Sequence, residues 1–252
     1  MIDVLVVGGK GRMGSLTAAT VAAQPDMRLV GLADPAFRPG EVAPVPVFGS
    51  VGEALAELRP EVAVEFSTPA SVYANARQLL GAGVHVVVGA TGLSAEQVTD
   101  LAMAAAAGTA NLVVAPNFSL GAVLLMRFAR EAARHFERAE IIELHHDGKL
   151  DAPSGTALRM AALMTEVPGS RLCAAPADQP SRGLQEGAVP VHSVRLPGLV
   201  AHHEVLFGGR GELLTLRHDS LSRESFMAGV LLAIRRVPDL EETVVGLENL
   251  LP

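Results

Sequence analysis

The densest chemistry in this chain lies where it reads His145-His146-Asp147-Gly148-Lys149-Leu150-Asp151-Ala152-Pro153-Ser154-Gly155-Thr156-Ala157. Two imidazoles and an ammonium group follow Glu140-Ile141-Ile142-Glu143-Leu144, a run that reads as a strand. A helix is expected to open near Ser154, just after Pro153, with free N–H groups at Gly155 and Thr156. Cations beside a helix N-terminus suit an anionic ligand, most naturally a carboxylate, and the same imidazole and ammonium groups can give it a proton. Neighbours on a regular strand face opposite sides, so both histidines reach one ligand only if the strand ends or bulges here, which Gly148 favours. Two competing readings are a core histidine with a solvated Lys149, and a metal site of His145, His146 and Asp147 joined by His202 and His203. The metal reading fits no standard ligand spacing, and an ammonium would oppose a bound cation, so no metal ligand is assigned. His202 and His203, expected in mid-sheet, read as structural, and Cys173 has no paired base that would make it a nucleophile.

A second constellation stands near the N-terminus. Gly8-Gly9-Lys10-Gly11-Arg12-Met13-Gly14 follows the strand-like Val4-Leu5-Val6-Val7 and leads into a helical stretch from Ser15 to Ala23. Glycines let a backbone turn tightly and approach a pyrophosphate, whose charge the helix N-terminus then stabilises. Asp34 closes the next apolar run, Leu29 to Ala33, where a carboxylate accepts hydrogen bonds from a ribose. The glycine spacing departs from G-x-G-x-x-G, and Gly9 softens the departure. Asp34 followed by Pro35 repels a 2′-phosphate and favours NADH. Lys10, Arg12 and Arg38 are either the cations that would admit NADPH or ordinary solvated charges.

The elements that must position these groups can be read from the apolar rhythm. Further buried-strand runs are Val62 to Phe66, Val84 to Val88 and Leu112 to Ala115, with an Ala-rich helix to Ala107 opened by a Ser94…Gln97 capping box. Strands alternating with helices predict an α/β, doubly wound, mostly parallel sheet of Rossmann type. After Asn117 the pattern changes: a helix from about Gly121 to Phe136, the strand before His145, and the helix near Ser154. Glu204 to Phe207 and Leu213 to Leu216 flank Gly208-Gly209-Arg210-Gly211 as a hairpin, predicting a second, α+β domain with an open mixed sheet. Residues 163–192, punctuated by Pro168, Pro176, Pro180, Pro190, Gly169, Gly183 and Gly187, read as one long loop of the kind that serves as a lid. A last helix is expected after Ser222, with Glu224 in its first turn and Arg235 and Arg236 in its last.

Composition sets the outer bounds. The 252 residues suffice for one large domain or two modest ones, and 49% hydrophobic content is enough for a sizeable core. Twenty Lys and Arg against 27 Asp and Glu argue against nucleic acid as the main ligand. A single cysteine leaves no internal disulfide and fits a reducing compartment, and there is neither a membrane-length apolar run nor a basic leader, so a cytoplasmic protein is expected.

With these residues in place, the chain resembles the 4-hydroxy-tetrahydrodipicolinate reductase (dihydrodipicolinate reductase) family over nearly its whole length. The resemblance rests on Gly8 to Gly14, Glu65-Phe66-Ser67-Thr68-Pro69, Gly89-Ala90-Thr91-Gly92, Ala115-Pro116-Asn117-Phe118-Ser119 and, above all, His145 to Thr156. It implies a dinucleotide-binding domain from both chain ends (1–117 and 223–252), a central substrate-binding and oligomerisation domain (118–222) and a homotetramer. It also implies hydride transfer from NADH or NADPH to a cyclic unsaturated dicarboxylate. By the same resemblance His145 is the proton donor or acceptor and Lys149 a second donor, while His146, Ser154, Gly155 and Thr156 bind substrate. Cofactor contacts would come from Gly8, Gly9, Lys10, Gly11, Arg12, Met13 and Asp34, with Gly89, Ala90, Thr91, Ala115, Pro116, Asn117 and Phe118 on the nicotinamide side. Ala90 stands where many members have threonine, which removes one side-chain contact. The alternatives are another two-domain NAD(P)-dependent dehydrogenase of an amino or sugar acid, and a non-catalytic dinucleotide-binding redox sensor.

Overall fold

A computed structural model describes residues 1–38, 40–174 and 180–251, and the chain divides into two units, Met1–Phe118 with Phe226–Pro252, and Ser119–Ser225. The first unit begins β1 (Ile2–Val7), α1 (Arg12–Ala22), β2 (Met27–Ala33), β3 (Val47–Phe48), α2 (Val51–Glu57) and β4 (Val62–Glu65). It continues α3 (Val72–Gly81), β5 (His85–Val88), α4 (Ala95–Ala107) and β6 (Leu112–Val114). The second unit holds α5 (Leu120–Ala132), β7 (Arg138–His145), α6 (Gly155–Glu166), β8 (Leu184–Glu186), β9 (Val189–Arg195), β10 (Ala201–Gly209) and β11 (Glu212–Ser220). The chain then returns to the first unit as α7 (Met227–Arg236) and β12 (Val244–Val245).

In the first unit the strands run β12-β6-β5-β4-β1-β2-β3, every pairing parallel. Parallel strands are covered on both faces, which is why β6 and β4 up to Val64 are apolar without alternation and every residue of both strands is buried, including Glu65 at the end of β4. The order reverses beside β1, so the crevice for a ligand opens past the C-terminal ends of β1, β2 and β4. The capping box at Ser94 forms as expected: its hydroxyl accepts from the Gln97 amide while Gln97 returns a bond to the Ser94 N–H.

The second unit is a mixed sheet, β11-β10-β7-β9-β8, in which only β7 and β9 are parallel. Strand β7 alternates regularly, with Ala139, Ile141, Glu143 and His145 on the buried face. Val205 and Phe207 of β10 and Val189 and Val191 of β9 are buried with them, in a core shared with Met160 and Met164 of α6.

The expectation of one long loop over 163–192 fails. Helix α6 runs on to Glu166, and β8 and β9 form a hairpin turning at Gly187, whose φ of +57° suits glycine. Pro190 is tolerated because β9 takes up its pairing with β7 only at Val191. Pro176 lies outside the described residues. The last helix also starts later than expected, since Arg223–Phe226 form a 3-10 turn that holds Glu224 before α7 begins.

Candidate active site

Strand β7 ends at His145, and the alternation that buries His145 also buries Glu143 two residues earlier on the same face. The Glu143 carboxylate is fully buried and saturated with donors. Nδ1 of His145 bonds Oε2, Arg195 is bidentate at 2.9 and 2.7 Å, and the Ser154 amide reaches Oε1 at 3.2 Å. Burial by itself would raise this carboxyl, but the bonds from His145 and Arg195 override it and hold the group at about 2. An ionised carboxylate only accepts, so Nδ1 of His145 carries the proton on that side and Nε2 is the nitrogen left to exchange one.

His203, opposite Glu143 in the ladder with β10, lies edge-on to His145 with ring centroids 5.4 Å apart and its Nε2 3.4 Å from the Ser154 hydroxyl. Burial, and then the neighbouring His145, push His203 down to about 4, so it is neutral near pH 7. His203 therefore belongs to the cluster rather than to the sheet alone. His202 points to the other face, where its Nδ1 meets Asp219 at 2.6 Å.

The strand stops at His145, and a turn closed by the Lys149 N–H on the His146 carbonyl follows. His146 is exposed; Lys149 is half-buried, with its ammonium 2.7 and 2.8 Å from the Asp151 carboxylate. Lys149 is thus already partnered, and a ligand carboxylate must share it with Asp151. Ser154 caps α6 by accepting from the Ala157 amide, which leaves Gly155 exposed and Thr156 half-buried in the first turn. Among the described residues no three His, Cys, Asp or Glu side chains are grouped to hold a metal ion. Cys173 is exposed and unpaired by any disulfide.

Glu143 and Arg195 were missed by sequence reasoning. Period-two alternation back from His145 would have found Glu143. Arg195 had no such signal, because its strand begins inside the stretch read as loop and its partner is 52 residues away.

In the first unit the glycine turn is built for close approach. A Cβ on Gly14 would lie 2.0 Å from the Gly8 carbonyl oxygen, and one on Gly8, whose φ is +78°, 2.5 Å from the Phe66 carbonyl oxygen. Helix α1 has Gly11 as its N-cap and so no side-chain cap, and its first turn offers amides to an anion. Asp34 accepts from the Lys10 amide at 3.0 Å and the Ala36 amide at 2.9 Å, which fixes its carboxylate beside Gly9 to Arg12 with lone pairs to spare. Lys10 is tied to Glu41 at 2.5 Å and lies over Phe37, while Arg12 and Arg38 are exposed. Gly89, Ala90 and Thr91 follow β5, and Ala115, Pro116, Asn117 and Phe118 follow β6, at the same sheet edge. A Cβ on Gly89 would strike the Phe66 and Phe118 rings at 2.2 and 2.7 Å, so this loop also leaves its backbone bare. These residues fit a dinucleotide.

A doubly wound unit with such a turn, joined to a second unit carrying paired acid–base groups at a helix start, defines a nicotinamide-dependent oxidoreductase. The family models for the dihydrodipicolinate reductase N-terminus and C-terminus match residues 2–118 and 121–251. A 4-hydroxy-tetrahydrodipicolinate reductase of Streptococcus gordonii is 49% identical over 254 residues, covering 99% of both chains. That of Listeria monocytogenes serotype 4b (strain CLIP80459) is 45% identical over 260 residues, covering 98% of this chain and 99% of the relative. The dipicolinate-bound dihydrodipicolinate reductase from Paenisporosarcina sp. TG-14 superposes with a TM-score of 0.89 at 41% identity, covering 100% of both chains. The chain belongs to the dihydrodipicolinate reductase family, NAD(P)H-dependent reductases.

Proposed function

We propose that His145 and the first turn of α6 form the reaction centre for the family's reaction, the reduction of 4-hydroxy-tetrahydrodipicolinate to tetrahydrodipicolinate in lysine and diaminopimelate biosynthesis. The observation that carries this reading is that one buried carboxylate, Glu143, accepts from both His145 and the Ser154 amide. An acid and an anion-binding helix start are thereby fixed side by side. The dinucleotide, when bound, supplies the hydride. His145 supplies the proton that must follow it, from Nε2. Lys149, drawn from Asp151, binds a substrate carboxylate and is the second donor. His146, Ser154, Gly155 and Thr156 complete the anion pocket, where helix polarity and N–H groups favour negative charge.

Gly8, Gly9, Gly11, Arg12 and Met13 would hold the pyrophosphate and Asp34 the adenosine ribose. Gly89 to Thr91 and Ala115 to Phe118 would frame the nicotinamide. Asp34 with Pro35 favours NADH, and the Lys10–Glu41 pair supports this because it occupies one of the three candidate cations. A homotetramer is supported by the face of the five-stranded sheet opposite its helices, where Ile142, Leu144, Val194 and Leu206 are only half-buried. The lone cysteine supports a cytoplasmic enzyme. Among the described residues no helix is long and apolar enough to cross a membrane.

The test is dinucleotide oxidation with substrate formed from pyruvate and aspartate semialdehyde. His145→Gln is expected to lower kcat roughly 10²-fold with KM little changed, because a transition-state interaction is lost. Retained kcat with loss only of dinucleotide affinity would refute the assignment. Pyridine-2,6-dicarboxylate, the ligand in the Paenisporosarcina relative, is expected to compete with substrate.

A further inference from the structure

Glu143 and Arg195 do more than fill the floor of the site. Glu143 is the only carboxylate bonded to His145 among the described residues, and it also holds the Ser154 amide, where the loop from His146 to Pro153 ends. Arg195 reaches across from β9, donating both terminal nitrogens to that carboxylate and Nη2 also to the Asp151 carbonyl at 2.6 Å. The Lys149-bearing loop is therefore pinned at Asp151 and Ser154 through the same carboxylate that orients the imidazole.

Chemistry gives each partner a distinct task. A buried carboxylate beside an imidazole tends to take its proton, because burial penalises the ionised form. The bidentate guanidinium and the Ser154 amide counter that tendency, so the proton stays on Nδ1 and the second nitrogen is free to deliver one. The groups facing His145 are Glu143 on its own strand, Arg195 on β9, His203 on β10 and Ser154 at the start of α6, with His218 on β11 beyond His203. His203 and His218 are both pushed toward the neutral form by burial, which leaves Glu143 and Arg195 as the charges that govern the site. We propose that Glu143 and Arg195 are the positioning pair for His145: Glu143 fixes its tautomer and direction, and Arg195 keeps Glu143 ionised and ties the imidazole to the Lys149 loop. This rests on His145 being the proton donor.

The test is steady-state kinetics of the full chain with Glu143→Gln, His145→Gln and the double variant. Glu143→Gln is expected to lower kcat roughly 10²-fold with KM within about threefold, and to add nothing in the double variant, because it acts through His145. The alkaline fall of the kcat/KM profile should move to lower pH once the imidazolium loses its anionic partner. Arg195→Met, which removes a cation from the same carboxylate, should move it to higher pH instead, and Arg195→Lys should not. Wild-type kcat and pH profile in Glu143→Gln, with His145→Gln impaired, would overturn this inference and leave the function standing. An unimpaired His145→Gln would instead remove the function on which it rests. An unchanged profile in Arg195→Met would overturn the part given to Arg195. Should the variants not fold, the wild-type enzyme still decides. In its long-range ¹⁵N–¹H spectrum, with the eight imidazoles assigned by through-bond correlation to the backbone, that of His145 must carry its proton on Nδ1, and a bare Nδ1 refutes the proposal.

Discussion

Replacing Glu143 by glutamine should flatten the acid limb of the protein's stability by an amount that the site geometry sets. The carboxyl is held at about 2 rather than at its ordinary 4.5, despite full burial, by its bonds from His145 and Arg195. That interval corresponds to about 3 kcal/mol of stabilisation at about 1.4 kcal/mol per tenfold. The sign follows from the direction: a carboxyl lowered in the folded state stabilises fully above 4.5 and loses that contribution as pH falls through about 2. Integrating the linkage from about pH 6 to about pH 3, roughly 2 of the 3 kcal/mol disappear. Arg195 stays charged throughout, so this loss belongs to Glu143. Urea unfolding followed by circular dichroism, at fixed protein concentration and at pH steps over this range, should show wild type and Glu143→Gln converging by about 2 kcal/mol. Parallel curves would refute the argument and mean that Glu143 titrates normally.

NADH should support a kcat/KM at least equal to that of NADPH, because Asp34 opposes a 2′-phosphate and Glu41 occupies Lys10; a more than tenfold NADPH preference in parallel assays would contradict this. Lys149→Ala should lower kcat and also raise substrate KM, by roughly tenfold if one carboxylate contact is lost, with NADH affinity in fluorescence titration unchanged. Gly14→Ala cannot be accommodated 2.0 Å from a backbone oxygen, and is expected to cost more than about 3 kcal/mol or prevent folding. A wild-type Tm in that variant would show that the turn relaxes.

Much of this protein is decided locally. The β1–α1 glycine turn, the Asp34 position, the apolar strands of the first unit and the Ser94 cap follow from patterns within a few dozen residues, since each obeys the steric and hydrogen-bonding rules of its own segment. His145, Lys149 and the helix start could be picked out for the same reason, because they fall within thirteen successive residues. The hairpin of β8 and β9 was hidden by its prolines and glycines, which mark loops on average. Pro190 is admissible in a strand here only because pairing with β7 begins after it. The short β3 and β12 gain their stability at the edges of a sheet already formed.

What tertiary structure alone decided is the electrostatic state of the site. The sequence places Glu143 beside His145 by strand period, yet whether that carboxylate is buried and ionised depends on Arg195 arriving from β9. Likewise His203 reads as one of two adjacent histidines in a strand, and only the register of β10 on β7 sets it against His145 and Ser154 while His202 turns to Asp219. Desolvation and charge pairing depend on distance in space, and sequence separation carries no information about either until the sheet is assembled.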